Sequence, residues 1–97
     1  MSTDLSKLTP TWTFLSNYAH VLICLHRNPE MRLRDVADLV GITERAVQKI
    51  VKDLEDSKVI DKQKDGRRNI YTINKKEKMR HPLESHRSIL NLLQALE

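Results

Sequence analysis

The stretch Val36-Ala37-Asp38-Leu39-Val40-Gly41-Ile42-Thr43-Glu44-Arg45-Ala46-Val47 decides how this chain folds. From Leu33 to Val40, the apolar residues Val36, Ala37 and Val40 recur at helical spacing and share one face. Gly41 follows at the place where a helix commonly ends in left-handed backbone, which glycine adopts without steric cost. Thr43 then offers a hydroxyl oxygen to cap a second helix, predicted to run to about Ser57. Glu44 in the first turn of that helix suits the positive end of its dipole. Further along, Val47, Ile50, Val51 and Leu54 cluster within about 100° of the helical wheel, the width of a stripe that faces a core. Arg45, Lys49 and Lys52 occupy the opposite face, with Gln48 alongside.

Two short helices joined by a tight turn containing glycine form a helix-turn-helix. Upstream, Phe14, Leu15, Tyr18, Leu22 and Leu25 predict a preceding helix from about Thr11 to His26, stopped by Asn28-Pro29. Met31 to Leu33 is either a single-bridge strand or the lead-in to the next helix. Downstream the period changes from helical to alternating. Val59-Ile60 and Arg68-Asn69-Ile70-Tyr71-Thr72-Ile73 flank Asp65-Gly66, a strong hairpin signal. A turn centred on Asp65-Gly66 sets Ile60 opposite Tyr71. Residues 74–80 read as a charged connector, and His81-Pro82 opens a last helix carrying Leu83, Ile89, Leu90, Leu92, Leu93 and Leu96. The expected organisation is a loose tail over residues 1–10, a helical and hairpin domain over 11–80, and a C-terminal helix over 81–97.

A chain of 97 residues with a hydrophobic fraction of 39% fills one modest core and leaves little material for an enclosed substrate cavity. The net charge of +4 is unevenly spread, because residues 42–80 hold 12 Lys/Arg and 7 Asp/Glu. A basic excess confined to one segment is an electrostatic footprint for a polyanion. No apolar run approaches the roughly 20 residues that span a bilayer, and the polar N-terminus lacks the apolar region of a leader peptide. Cys24, the single cysteine, has no internal disulfide partner, which fits a reducing compartment and a cytoplasmic location. With only Gly41 and Gly66 there is no glycine-rich phosphate loop, and no Ser, His and acid are arranged for catalysis. The chain reads as a non-enzyme without a cofactor, a membrane association or a small-molecule substrate.

The order helix, helix, turn, basic helix, basic hairpin resembles the winged helix-turn-helix transcription regulators of the MarR/ArsR-like group. The resemblance runs from about Trp12 to Ile73. It is carried most specifically by Arg32-Leu33-Arg34-Asp35-Val36-Ala37, by Val40 to Val47, and by Gly66-Arg67-Arg68-Asn69-Ile70-Tyr71. It implies a mainly α fold with a small β-hairpin wing and a C-terminal dimerisation helix. It makes Val36, Ala37 and Val47 helix-packing positions, Arg45, Gln48, Lys49 and Lys52 major-groove contacts, and Arg67 and Arg68 wing contacts. Thr43 at the helix start and Lys62 and Lys64 on the wing complete the expected contacts to double-stranded DNA. Pairing of two copies through Leu83, Ile89, Leu90, Leu92, Leu93 and Leu96 is implied in the same way. One departure is Arg32, which stands where such domains often cap the helix with Ser or Thr, leaving Asp35 to interact with the helix start.

Blander readings stay open for each feature. Lys and Arg line the outside of any amphipathic surface helix, and charge also protects an edge hairpin from aggregation. The same fold could serve as a protein-interaction module. A metal-responsive repressor would draw on His20 and Cys24, four residues apart on the first helix, with His26, His81 or His86 brought in by folding. Structural zinc needs about four ligands and catalytic zinc about three, so that pair alone makes no site.

Overall fold

The first helix is shorter than its apolar pattern suggests. In the computed structural model, which describes residues 10–97, α1 spans Asn17–Arg27 and starts at Ser16, whose hydroxyl accepts a hydrogen bond from the Ala19 amide. The tail expected over residues 1–10 lies outside the described residues apart from Pro10. Phe14, expected on this helix, precedes it and is 93% exposed. Serine is a far better N-cap than Phe14 and Leu15 immediately before it, so the cap sets the boundary. α2 (Leu33–Val40) ends at Gly41 with φ 86°, and α3 (Glu44–Asp56) is capped by Thr43, which accepts from the Ala46 amide. Arg32 at the start of α2 makes no side-chain cap bond, and Asp35 acts on that helix only through its charge in the first turn.

α3 ends without a glycine. Lys58 takes φ 63° instead, and the Val59 amide donates back to the Leu54 carbonyl, closing the helix in a Schellman turn. The chain then enters a two-stranded antiparallel hairpin, β1 (Ile60–Asp65) and β2 (Arg68–Ile73). Its register differs from the expected one. Ile60 pairs with Ile73, Lys62 with Tyr71, and Asp65 with Arg68, so the turn residues are Gly66 and Arg67 rather than Asp65 and Gly66. Of these, only Gly66 has positive φ (64°), the pattern of a turn with glycine at its first central position. The shift is two residues, so it keeps each side chain on its face. It also pairs two apolar residues at the base of the wing and moves Arg67 from the strand to the tip. No strand forms at residues 31–33; the Tyr71 amide bonds directly to the Pro29 carbonyl and ties β2 to the α1–α2 loop.

The C-terminal region departs most from expectation. The helix anticipated over residues 81–97 is confined to α4 (Ile89–Ala95). Residues 81–87 form turns, closed at their base by an antiparallel bridge between Lys78 and Ser88. Ser88 and Asn91 form a reciprocal capping box, a start signal that outcompetes His81-Pro82. Leu83 therefore lies off the helix and is 80% exposed.

One core joins all these elements. Val21, Leu22, Cys24 and Leu25 of α1 pack with Val36 and Ala37 of α2, Val47, Ile50 and Val51 of α3, and Val59, Ile60 and Tyr71 of the hairpin. Ile89 and Leu93 of α4 are buried in the same cluster. Two of the six residues expected to face a second copy thus belong to the chain's own interior. Truncating Leu93, which is 2% exposed, should destabilise the domain by about 2–5 kcal/mol. The loss should be read in denaturant unfolding and be independent of protein concentration. A midpoint that shifts only with concentration would instead put Leu93 at a subunit interface.

Candidate nucleic-acid interface

Burial of Val47, Ile50 and Val51 fixes the rotation of α3, so that Arg45, Gln48, Lys49 and Lys52 point outward and are exposed. Among the described residues Arg45 makes no ion pair, and the two lysines each have one. Lys49 Nζ lies 2.7 Å from Asp53 Oδ2, and Lys52 Nζ lies 3.3 Å from Asp56 Oδ2. Asp53 also accepts a 2.6 Å hydrogen bond from the hydroxyl of Tyr18 on α1. The Lys49 ammonium and the Tyr18 hydroxyl hold the Asp53 carboxyl below the usual carboxylate range. In return the hydrogen bonds to Asp53 raise both the Lys49 ammonium and the Tyr18 phenol. Thr43 is exposed at the start of α3, with its hydroxyl oxygen engaged as the cap.

The wing stands next to this helix. Gln48, Lys52 and Glu55 of α3 share the walls of one open groove with Lys62, Asn69 and Tyr71 of the hairpin. A second groove, of about 650 Å³, lies between Arg67 and Arg68 of the wing and the starts of α2 and α3, at Arg32, Asp35 and Glu44. Lys62 approaches Glu55 at 4.0 Å, and Arg68 approaches Glu30 at 3.6 Å. Lys64 and Arg67 make no ion pair among the described residues. The structure thus brings Gln48 and Lys52 beside Lys62 in one groove and sets Arg67 and Arg68 beside the starts of α2 and α3 in the other, whereas Lys49 turns towards Tyr18 of α1. It adds Arg32, exposed at the start of α2 beside Arg67 and Arg68; that proximity is tertiary, and no local signal in the sequence carried it.

The histidines and the cysteine are dispersed. Cys24 is packed in the core, and burial pushes its thiol up, away from the reactive thiolate. His20 lies 3.3 Å from Asn17, and His26 lies 3.2 Å from Glu97, tying α1 to the chain end. Among the described residues no three His, Cys, Asp or Glu side chains are grouped to hold a metal ion. None of the described helices is long and apolar enough to cross a membrane.

This arrangement has known counterparts. Residues 20–61 match the sequence family described as winged helix-turn-helix DNA-binding. No curated protein sequence matches the chain. Among solved structures, it is similar to ZitR of Lactococcus lactis bound to DNA, with 20% identity and a TM-score of 0.54 over 67% of this chain and 46% of that one. ZitR is a zinc-responsive MarR family member. PcaV of Streptomyces coelicolor, in complex with its natural ligand, is 26% identical with a TM-score of 0.51, over 71% of this chain and 50% of that one. MepR, a transcription regulator of a Staphylococcus aureus multidrug efflux pump, is 20% identical with a TM-score of 0.55, over 94% of this chain and 58% of that one. The chain therefore has the winged helix-turn-helix fold, and it spans about half the length of ZitR and PcaV.

The Asp53 cluster makes stability depend on pH in a definite direction. A carboxyl whose folded value is depressed contributes fully above its unfolded value, and the contribution is lost as pH falls through the folded one. The difference in melting temperature between wild type and Asp53→Asn should accordingly narrow as the solution is acidified below the ordinary carboxylate range. A difference that stays constant through that range would mean that the cluster is not formed in solution.

Proposed function

We propose that this winged helix domain is a double-stranded DNA-binding transcription regulator of the MarR-like kind that works as a homodimer. The observation that carries the reading is the placement of an exposed helix bearing Arg45 and Gln48 beside a basic wing tip bearing Lys64 and Arg67. The likeness to a DNA-bound ZitR supports the same reading. An α-helix fits the major groove, where Arg donates to guanine O6 and N7 and Gln pairs with the edge of adenine. Carboxylates crowd the C-terminal half of α3, at Asp53, Glu55 and Asp56, and phosphates repel them. The N-terminal half, from Thr43 to Gln48, is therefore the part that enters the groove, with Lys52 at its margin. Arg67, Arg68, Lys62 and Lys64 contact the sugar-phosphate backbone or the adjacent minor groove and set the register of the domain on the duplex.

What the core leaves uncovered supports the homodimer. Trp12, Phe14, Leu83 and Leu96 are exposed, and Phe14, Ile89 and Leu92 line one apolar groove formed by both ends of the chain. Pairing these terminal segments about a twofold axis covers apolar surface that a monomer leaves wet. A cytoplasmic location is the one that matches this reading.

Selection of bound fragments from a random duplex pool at about 150 mM salt, where non-specific attraction is weakened, tests this function. A pseudo-palindromic motif with half-sites about 10 bp apart, or a multiple of that, is the expected result. Arg45→Ala should then cost about 1–3 kcal/mol at one base pair of each half-site. Arg67→Ala should weaken binding to every sequence and flatten its salt dependence. Failure to enrich any motif, with binding that vanishes as salt rises, would redirect the search to protein partners.

A further inference from the structure

We propose that Asp53, anchored by the Tyr18 hydroxyl, withholds Lys49 from DNA and so determines which side chains of α3 engage the duplex. The inference rests on the DNA-binding function proposed above and refines it. Helical periodicity makes Lys49 and Lys52 equivalent, since both are exposed on the outward face and each has an aspartate four residues on. The structure separates them. Lys52 and Asp56 are both well exposed, at 74% and 65%, and their 3.3 Å contact has no third member. Such an exposed pair is weak, and the Lys-before-Asp order, which both pairs share, adds nothing to either. A phosphate can replace Asp56 at little cost, which leaves Lys52 available.

Lys49 is held differently. Its ammonium and the Tyr18 hydroxyl both donate to Asp53 Oδ2, at 2.7 and 2.6 Å, and the Asp53 side chain is only 36% exposed. Tyr18 belongs to α1, whose position is set by the core, so its hydroxyl gives the carboxylate a second tether, from another helix, that does not depend on Lys49. Less rotamer freedom is then lost when the ion pair closes, and the pair is stronger than its spacing alone would make it. Moving Lys49 to a phosphate would exchange one ion pair for another. It would also strand the Asp53 charge beside a polyanion with only a neutral hydroxyl for support. Lys49 and Asp53 therefore meet DNA as a neutral unit, and contact passes to Arg45, Gln48 and Lys52.

The test is the salt dependence of binding, because a lysine that neutralises a phosphate contributes about 0.9 to the slope of log K against log salt. The full chain is titrated with a fluorescent mixed-sequence duplex of about 20 bp between roughly 50 and 300 mM salt, conditions over which such slopes are resolved. Asp53→Asn should steepen the slope by about 0.9 when Lys49 is present and leave it unchanged in the Lys49→Ala background. Lys52→Ala alone should flatten it by about the same amount. Tyr18→Phe retains the carboxylate but frees it to swing, and should shift the slope part of the way towards that of Asp53→Asn.

Equal steepening by Asp53→Asn in both backgrounds would mean that Asp53 acts by repulsion alone, and would overturn the proposal. So would no steepening in either background. A Tyr18→Phe slope identical to wild type would overturn the anchoring role of the tyrosine. A wild-type chain that does not bind the duplex at any salt would instead refute DNA binding itself, and this inference with it.

Discussion

The shared burial of Val36 on α2 and Val47 on α3, joined by the left-handed turn at Gly41, is the constraint on which the rest of the structure depends. Both side chains are fully buried, and Val21 and Leu25 of α1 close over the same core. Successive residues on a helix are about 100° apart. A slip of one position in α3 would therefore drive a charged side chain inward and strand it without a partner, at a cost of several kcal/mol. Core packing consequently decides more than stability. It sets which side of α3 faces outward, and so which chemistry the domain presents.

The charge on that outward side is balanced rather than simply basic. Between Glu44 and Asp56, α3 carries three Lys/Arg and four Asp/Glu, whereas residues 57–80 hold nine Lys/Arg and three Asp/Glu. The basic excess of the chain thus resides in the wing and the connector behind it. Under the proposed function this implies a division of labour, in which the wing would supply general attraction to phosphate over a Debye length and the helix close contacts limited in number by its own carboxylates. The links from Lys62 to Glu55 and from Arg68 to Glu30 balance part of the charge on the wing in the same way.

The ends of the chain serve two purposes at once. Ile89 and Leu93 complete the core of the domain, so α4 is a structural part of the winged helix and not an appendage. Leu90 and Leu92, on the same short helix, are half-buried, and Leu92 lines a groove with the exposed Phe14. In the proposed homodimer, such a surface would couple association of two copies to the interior of each, because the same seven-residue helix supplies both faces.

The sequence by itself determined α2, its turn and α3, because every signal involved is local. The apolar spacing, the glycine at the C-cap and the threonine at the N-cap all act within a few residues of one another. The existence of the hairpin and the face of each of its residues were legible for the same reason. The starts of α1 and α4 were present in the sequence as Ser16 and Ser88, yet apolar residues at helical spacing extended beyond both caps and masked them. Tertiary structure alone decided the register of the wing, since a two-residue shift leaves every face unchanged and only the pairing of Ile60 with Ile73 and the φ of Gly66 select it. It alone sent Ile89 and Leu93 inward, because a leucine-rich stripe does not state which apolar surface it will meet. It alone joined Tyr18 to Asp53, 35 residues apart, and thereby made two lysines of identical spacing unlike. Periodicity reports which face of a helix a residue occupies, whereas its partners there come from elements that only folding brings near.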